Sequence, residues 1–356
     1  MHSTISPKIL LAILSALFRL ALQAQTEELN NFYYSVSNGQ ATILAYGLFD
    51  SPSVTIPSTI AGYPVTSIGP DAFNGLYNTQ QVNIPAGVTS IEAGAFYGAG
   101  LTNIVIPEGV TNIGQEALFC ESLVQVVMPN TVTSMGEAEF LNCHALASVT
   151  LSTNLTSLGA NAFGYCLSLR NITLPPHLTL VDPSAFIGCT SLTNIVIPDS
   201  VSTIGMQAFE YCYSLTNVTI GKGVSEVAIE AFANCITLQE VYFRGSAPPQ
   251  ETAFSGCTNV LINYLPGTTG WGSTWDLMPT ALWNPQIEPG FGMNNHQFGM
   301  NVRGTPNITV QVSATTNLAG PEWTPVGTLV LTNGTASFSE AELPGVTGRF
   351  YQLTFP

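Results

Sequence analysis

Seven cysteines are the most regular set of potentially reactive side chains in this sequence. Each follows an aromatic residue of a repeated segment by three positions, except that the first follows Leu118 by two: Cys120, Cys143, Cys166, Cys189, Cys212, Cys235 and Cys257. In an exported protein, such a series could form a disulfide framework. The same thiols could also remain free inside the fold, or ligate zinc.

A buried ladder of free thiols is the interpretation that we favour. The number of cysteines is odd, and equivalent residues of stacked coils project in parallel, which leaves their Cβ atoms slightly too far apart for relaxed bridges. Leu76 and Ala99 hold the same position in two earlier repeats, so the position accepts a small or medium apolar group. No cysteine pair or Cys/His pair has the spacing of zinc ligands, and we predict no metal and no cofactor.

Acid–base and nucleophilic groups form no recognisable catalytic motif. The histidines after the N-terminal segment lie far apart, at His144, His177 and His296. Paired carboxylates occur at Glu137/Glu139 and Glu340/Glu342, where we expect solvated loops. A nucleophile elbow and a glycine-rich phosphate loop are both missing. The sequence therefore predicts a protein that is not an enzyme, and no motif supports a polysaccharide hydrolase.

Charge excludes two further classes of partner. Only 8% of the 356 residues are charged, against about 25% in an ordinary soluble domain. Lys and Arg number 7 and Asp and Glu number 22, for a formal net charge of −15. So few cations cannot neutralise many phosphates, so we expect neither nucleic-acid binding nor attachment to anionic lipid.

The N-terminal segment indicates export. Lys8 precedes the apolar run 9–22, and small or polar residues follow up to Ala24, as in a secretory signal peptide. Residues 1–24 are therefore predicted to be a signal peptide, and an uncleaved anchor is the alternative. After cleavage, no apolar stretch is long enough to span a bilayer, so we expect a secreted or cell-surface protein.

A repeat of 22 or 23 residues organises the middle of the chain. Nine units in register carry an aromatic or leucine residue at one position: Phe73, Phe96, Leu118, Phe140, Phe163, Phe186, Phe209, Phe232 and Phe254. In the unit 191–212, Leu192, Ile195 and Ile197 alternate with polar residues, which predicts a strand with one buried face that Pro198 ends. A unit this short predicts parallel strands in a solenoid, joined by short helical or irregular returns.

The repeat resembles the BspA-like leucine-rich repeat of bacterial surface and secreted proteins. The resemblance follows the pattern VTxIGxxAFxxCxxLxxVxIP from about Val54 to Tyr264. It departs from the pattern where two units are one residue short, at Ala99-Gly100 and Leu118-Phe119, and where three strands lack the final proline. The resemblance implies a curved or twisted solenoid and, by association, adhesion or ligand binding, and it implies no chemistry.

The ends of the repeat predict caps. Alternating segments on either side of Asn38-Gly39 predict a β-hairpin, which we place in a capping region 25–52 before the solenoid 53–264. Trp271, Trp275 and Trp283 fall in or next to a C-terminal cap, 265–285, either as an apolar lid, which we favour, or as a sugar platform. Short alternating runs then predict a small all-β sandwich, 286–356.

On each repeat strand, the residues that alternate with the buried ones point outward. Together these outward residues provide the candidate binding surface. Amide, hydroxyl and a few other side chains form two columns, from which we select Gln81, Asn103, Gln125, Asn171, Thr173, Asn194, Asn217, Thr219, Glu240 and Tyr242. Such columns could bind an extended protein or glycan ligand, or the side chains could only hydrogen-bond one another. The sequence thus predicts a non-catalytic adhesion or binding protein, with a structural spacer of the envelope or matrix as the alternative.

Overall fold

The computed structural model describes residues 27–48, 51–294, 296–306, 308–342 and 348–354. The predicted signal peptide, 1–24, lies outside this part of the chain. The chain divides into two compact units, Met1–Leu238 with Pro248–Asn259 and Gln239–Ala247 with Val260–Pro356. Each unit is described by itself below.

Short strands make up the first unit. They are β1 (Glu27–Leu29), β2 (Phe32–Ser37), β3 (Gln40–Tyr46), β4 (Ser53–Thr55), β5 (Thr59–Ile60), β6 (Tyr63–Ile68), β7 (Gln81–Asn83), β8 (Ser90–Ile91), β9 (Asn103–Val105), β10 (Asn112–Ile113), β11 (Gln125–Val127), β12 (Ser134–Met135), β13 (Ser148–Thr150), β14 (Leu180–Val181), β15 (Asn194–Ile197), β16 (Thr203–Ile204), β17 (Asn217–Ile220) and β18 (Glu226–Val227).

Most coils of the repeat contribute one strand to each of two parallel stacks. One stack, β4-β7-β9-β11-β13, pairs in register, for example Gln125 with Asn103 and Val127 with Val105. The other, β6-β8-β10-β12, is extended by the antiparallel hairpin β2-β3, because β3 pairs in parallel with β6. Asn38 and Gly39 both have positive φ at the hairpin turn, as a two-residue turn of this hand requires. The predicted hairpin is confirmed.

The returns between the strands are turns rather than helices. Each coil has a left-handed residue just before the Ala-Phe pair: Asp71, Gly94, Glu116, Ala138, Asn161, Ser184, Gln207, Glu230 and Thr252. In eight of the nine coils a second left-handed residue follows: Gly75, Gly98, Asn142, Tyr165, Gly188, Tyr211, Asn234 and Gly256. A positive φ interrupts a right-handed helix, so the irregular alternative holds. The return amides pair between coils instead, as Phe186 N does with Ala208 O at 2.7 Å.

The repeated phenylalanines form one file through the core of the first unit. Phe140, Phe163, Phe186, Phe209 and Phe232 are buried, and successive ring centroids lie 5.1–5.2 Å apart with near-parallel planes. Phe73 and Phe96 stack in the same way at 5.1 Å, and buried Leu118 separates the two runs. Each coil therefore covers the apolar side of the next, which confirms the predicted solenoid.

Both stacks are interrupted in the segment between β13 and β14. No strand is assigned between β13 and β14, although Ile172 and Leu174 remain buried and Asn171 and Thr173 exposed. Beyond this segment, β14, β16 and β18 form one stack and β15 pairs with β17. At the interruption, the carboxylate of Asp182 accepts the backbone N–H groups of Leu158 and Gly159 at 3.1 and 3.2 Å, which takes these two amides away from a strand ladder.

The second unit contains the last repeat strand and the C-terminal sheets. Its elements are β19 (Glu240–Phe243), β20 (Leu261–Tyr264), β21 (Thr274–Trp275), β22 (Met278–Leu282), β23 (Gln286–Ile287), β24 (Gly292–Asn294), β25 (Gln297–Arg303), β26 (Thr309–Thr315), β27 (Thr324–Val330), the 3-10 helix Thr332–Gly334, β28 (Thr335–Ala341) and β29 (Phe350–Thr354).

The predicted small all-β module is present in the second unit. Strands β23, β25, β24 and β28 form one antiparallel sheet, and β27, β26 and β29 form another. Met300 and Phe338 of the first sheet share a core with Val310 and Val312 of the second. That core also contains Tyr242 of β19 and Trp283, so the last repeat strand packs against the module.

Candidate ligand-binding surface

The strands β7, β9, β11 and β13 expose one side and bury the other. Val82, Ile104 and Val126 are buried, whereas the amide residues Gln81, Asn103 and Gln125 are exposed. This alternation follows from the two-residue period of a strand over an apolar core. The first three residues of the predicted binding surface therefore lie on an open sheet face, as expected.

Many of the amides on this face are bonded to their neighbours. Gln81 Nε2 donates to Asn83 Oδ1 at 3.2 Å, and Asn83 Nδ2 donates to Thr55 Oγ1 of the preceding coil at 3.1 Å. Asn103 donates to the preceding Thr102 at 3.3 Å, and Asn194 of β15, outside this face, donates in the same way to Thr193 at 3.5 Å. Part of the hydrogen-bonding capacity is thus used within the protein, as the alternative interpretation of these columns predicts.

Two exposed valines stand out in the second column. Val105 is 78% exposed and Val127 is 49% exposed, and the two pair in register on adjacent strands. They line a groove of about 720 Å³ together with Pro107, Glu108 and Met128. Neither valine is among the residues selected from the sequence, although branched apolar residues at an outward position are the more informative signal.

Further along the repeat, the predicted residues are less available. Asn171 and Thr173 are exposed but lie in the segment between β13 and β14, where no strand is assigned, and Asn171 Oδ1 accepts a hydrogen bond from Thr193 Oγ1 at 3.5 Å. Asn194 is exposed on β15, whereas Asn217 is half-buried and donates to Thr216 at 3.1 Å. Thr219 is only 5% exposed, so the prediction of an open position is wrong for this residue.

Tyr242 lies in the interior of the second unit, and Glu240 is half-buried beside it. The Tyr242 hydroxyl donates to Glu240 Oε2, and Thr309 Oγ1 donates to Glu240 Oε1 at 2.7 Å. Tyr242 is fully buried in the core that contains the C-terminal sheets, and burial raises its pKa above the usual value. The outward face of β19 is therefore covered, and the prediction of an exposed Tyr242 is wrong.

All seven cysteines are buried and free, which confirms the thiol ladder. Each Sγ donates to the backbone oxygen at the aromatic position of the preceding coil, for example Cys189 to Phe163 at 3.1 Å and Cys143 to Leu118 at 3.2 Å. Burial raises the pKa of Cys143 and of Cys189 to about 12. A thiol reacts as its thiolate, so these groups have low reactivity while the protein is folded.

The paired carboxylates are not all on solvated loops. Glu139 is fully buried, so that expectation is wrong for it, while Glu137 is exposed. Glu340 lies on β28, where its oxygens accept hydrogen bonds from Arg349 at 2.9 Å and Tyr351 at 2.8 Å. Glu342 instead pairs with the exposed His296 at 2.6 Å. The carboxylates thus have separate structural surroundings and do not converge on one cleft.

The C-terminal tryptophans are packed rather than displayed as a flat platform. Trp275 is buried and contacts Phe243 edge-on at 5.3 Å, and Trp271 stacks on Tyr264 at 5.2 Å. Trp283 donates its Nε1 hydrogen to Thr309 O at 2.8 Å. These contacts, all within the second unit, favour the lid over the sugar platform.

A metal centre and a membrane-spanning helix are both absent from the described residues. No cluster of three or more His, Cys, Asp or Glu side chains there could hold a metal ion. The same residues contain no helix that is both long and apolar enough for a membrane span. The open sheet face with its valine-lined groove is the candidate functional surface.

Comparison with solved structures finds bacterial leucine-rich repeat proteins. One from Treponema pallidum is 24% identical over 67% of this chain and 86% of its own, with a TM-score of 0.35. One from Bacteroides ovatus is 21% identical over 72% of this chain and 100% of its own, with a TM-score of 0.41. A leucine-rich cell surface protein from Faecalibacterium prausnitzii is 20% identical over 72% and 94%, with a TM-score of 0.34.

No curated protein matches the chain. The family described as the BspA type leucine rich repeat region, by contrast, matches residues 46–167 and 133–261 in six copies, which is more than half of the sequence. These matches cover the coils whose strands, returns and phenylalanine file are described above. The chain belongs to the BspA-type leucine-rich repeat family.

Proposed function

We propose that this protein is a non-catalytic binding or adhesion protein that acts outside the cell. Its ligand, a protein or a glycan, contacts the open face of β7, β9, β11 and β13. The observation that carries the proposal is the exposure of Val105 and Val127 side by side over a groove. Exposed apolar side chains on an otherwise polar sheet face are typical of an interaction surface.

Localisation outside the cell is part of the same proposal. It is supported by the signal-peptide pattern of residues 1–24 and by the low number of cations, which argues against nucleic-acid partners. The predicted division into 25–52, 53–264, 265–285 and 286–356 also stays a proposal. It assigns recognition to the solenoid, while the C-terminal module covers the last repeat strand.

A structural spacer of the envelope or matrix is the second candidate. The observation that favours it is the bonding of Gln81, Asn83 and Asn103 to their own neighbours, since a face that only needs to stay soluble would show the same bonds. The valines do not fit this second candidate, because exposed apolar groups do nothing for solubility.

Arrays of glycans and extracellular-matrix proteins can separate the two candidates. The purified protein without residues 1–24 is compared with a Val105→Arg, Val127→Arg variant and with Asn112→Arg, a control on the other stack of strands. We expect the array signals to fall at least about tenfold in the double variant and to persist in the control. Absence of binding to every array component by the unmodified protein would favour the spacer.

A further inference from the structure

The floor of the groove is aliphatic and spans three strands. Val105, Val127 and Thr150 pair in register across β9, β11 and β13. Their side chains lie next to one another, because neighbouring strands are about 4.8 Å apart. Pro107 continues the lining beyond the strands, whereas Met128 and Leu151 border the groove but are buried. This arrangement offers an aliphatic side chain of a ligand a contact area that excludes water on one side.

One wall of the groove is held in place by hydrogen bonds. Asn130 Oδ1 accepts from both the backbone N–H and the hydroxyl of Thr153 at 3.0 Å, and Asn154 donates to Asn130 O at 2.7 Å. Asn130 and Thr153 both line the groove. Because this wall is already ordered, less conformational entropy is lost when a ligand binds. The groove is therefore preorganised for an extended segment.

Glu108 is the one charged side chain among the described residues that line the groove. It is exposed, and none of the ion pairs in the described part of the chain involves it. In residues 27–48, 51–238 and 248–259, the cations are Arg170 and Lys222, and Lys222 lies 3.9 Å from Asp199. The field around the groove is therefore negative, and it attracts a positively charged partner.

The lining favours a peptide over a sugar chain. No Trp, Tyr or Phe is among the described residues that line the groove. Sugars bind to exposed protein surfaces largely by stacking on flat aromatic rings, whereas aliphatic side chains pack well against Val and Pro. A neutral glycan would also gain nothing from the Glu108 carboxylate.

We infer that this groove binds an extended peptide segment of a partner protein that presents an aliphatic side chain next to a lysine or arginine. The aliphatic side chain contacts Val105 and Val127, and the cation pairs with Glu108. Glu108 follows Val105 by three residues, so the two ligand groups lie within about two or three residues of each other on an extended chain. This inference rests on the proposed function and names the class of its ligand.

Fluorescence polarisation with labelled synthetic peptides tests the inference. The probes are short extended peptides that carry Leu-Val and one lysine two or three positions away, matched to peptides with Gln or Glu in place of that lysine. The protein variants are Glu108→Gln and Val127→Asn, since Asn83 already occupies the valine position on β7. Val196→Asn, an exposed valine at the same position on β15 and outside the groove, is the control.

We expect the lysine peptides to bind the unmodified protein and the Val196→Asn control equally. Replacement of lysine by Gln should weaken binding about fivefold, and by Glu more, with the loss reduced at high salt. Glu108→Gln should remove most of the preference for lysine, and Val127→Asn should weaken every peptide. Circular dichroism melts confirm that the variants are folded.

Three outcomes would overturn the inference. If peptides with and without lysine bind equally well, and Glu108→Gln does not change their affinity, the ion pair with Glu108 is excluded while the proposed function stands. Glycan binding on the arrays that Val127→Asn abolishes, with no peptide bound, replaces the ligand class and also leaves the proposed function standing. Failure of all peptides, glycans and matrix proteins to bind overturns the inference and the proposed function together.

Discussion

Glu139 occupies a position that alanine holds in the other coils, at Ala72, Ala95, Ala117, Ala162, Ala185, Ala208, Ala231 and Ala253. The carboxyl group is fully buried, and neither oxygen makes a hydrogen bond of good geometry. Burial raises its pKa well above the usual range, and the nearby amides of Ala117 and Leu118 only partly oppose the shift. The preceding coil has Leu118 where the other coils have phenylalanine. The glutamate side chain, which is larger than alanine, therefore lies next to the one smaller member of the phenylalanine file.

Replacement of this carboxyl should change the pH dependence of stability. Since folding raises the pKa of Glu139, its contribution to the free energy of unfolding is fully present below about pH 4.3 and is lost as the pH rises towards the folded-state pKa. We expect Glu139→Gln to match the unmodified protein in acid and to gain about 1.4 kcal/mol of relative stability for each pH unit above about 4.3, until the folded-state pKa is reached. Denaturant melts across the pH range measure the difference.

Glu137→Gln is the control for this prediction, because Glu137 is two residues away and exposed. A Glu139→Gln curve that runs parallel to that of the unmodified protein at every pH would show that folding does not raise the pKa of Glu139.

The buried thiols should resist labelling. Since burial raises the pKa of Cys143 and Cys189 to about 12, almost no thiolate is present in the folded protein at about pH 8. We expect a chromogenic disulfide reagent to react with none of the seven cysteines in the native protein and with all seven in guanidinium chloride. Rapid reaction of even one native thiol, or a total below seven after unfolding, would contradict the free buried ladder.

Each coil is stable only because its phenylalanine is covered by the next. Phe186 lies between Phe163 and Phe209, with both centroid distances at 5.2 Å and no exposed area. Phe186→Ala should lower the free energy of unfolding by about 3–5 kcal/mol, through lost burial and a cavity between coils.

Phe186→Leu is the matched variant, because Leu118 holds this position naturally. Its loss should be nearer to about 1 kcal/mol. Equal melting temperatures for the alanine variant and the unmodified protein would mean that the file does not stabilise the coil.

The turns between the strands contain local backbone strain that a substitution can remove. Ser184 has φ of 55° at a position where the coil of Phe96 has Gly94. A residue with a side chain pays about 1–2 kcal/mol in this conformation, and glycine pays less in the folded state but more in unfolded-chain entropy. Ser184→Gly should therefore raise the free energy of unfolding by about 0.5–1 kcal/mol in denaturant melts. A loss of stability would show that the serine side chain has a stabilising role.

At the scale of the whole chain, the second unit joins the last repeat strand to the C-terminal sheets. Tyr242, Trp283, Val302, Ile308 and Val310 share one core. A chain that ends at Asn284 should therefore expose the covered face of β19, bind a hydrophobic dye and melt at a lower temperature than the full chain. An unchanged melting temperature would show that the module is an independent appendage.

The sequence by itself determined the coil. The spacing of Phe73 to Phe254, the inward parity of residues such as Ile195 and the Asn38-Gly39 turn are local features, and each has one favourable arrangement in a stack of short strands. All seven cysteines hold the same position of the repeat, which likewise predicted free thiols. Side chains at the same position of stacked coils project in parallel, so their Cβ atoms lie too far apart for relaxed disulfide bonds.

Only the tertiary structure decided which parts of the outward face are open. Val105 and Tyr242 occupy the same repeat position, yet Val105 is exposed and Tyr242 is buried, because residues far along the chain at β25 and β26 cover β19. The burial of Glu139 and the missing strands at Asn171 likewise depend on contacts between coils that no single repeat contains. A repeat pattern specifies which side of a strand faces inward, but coverage of the other side depends on non-local packing.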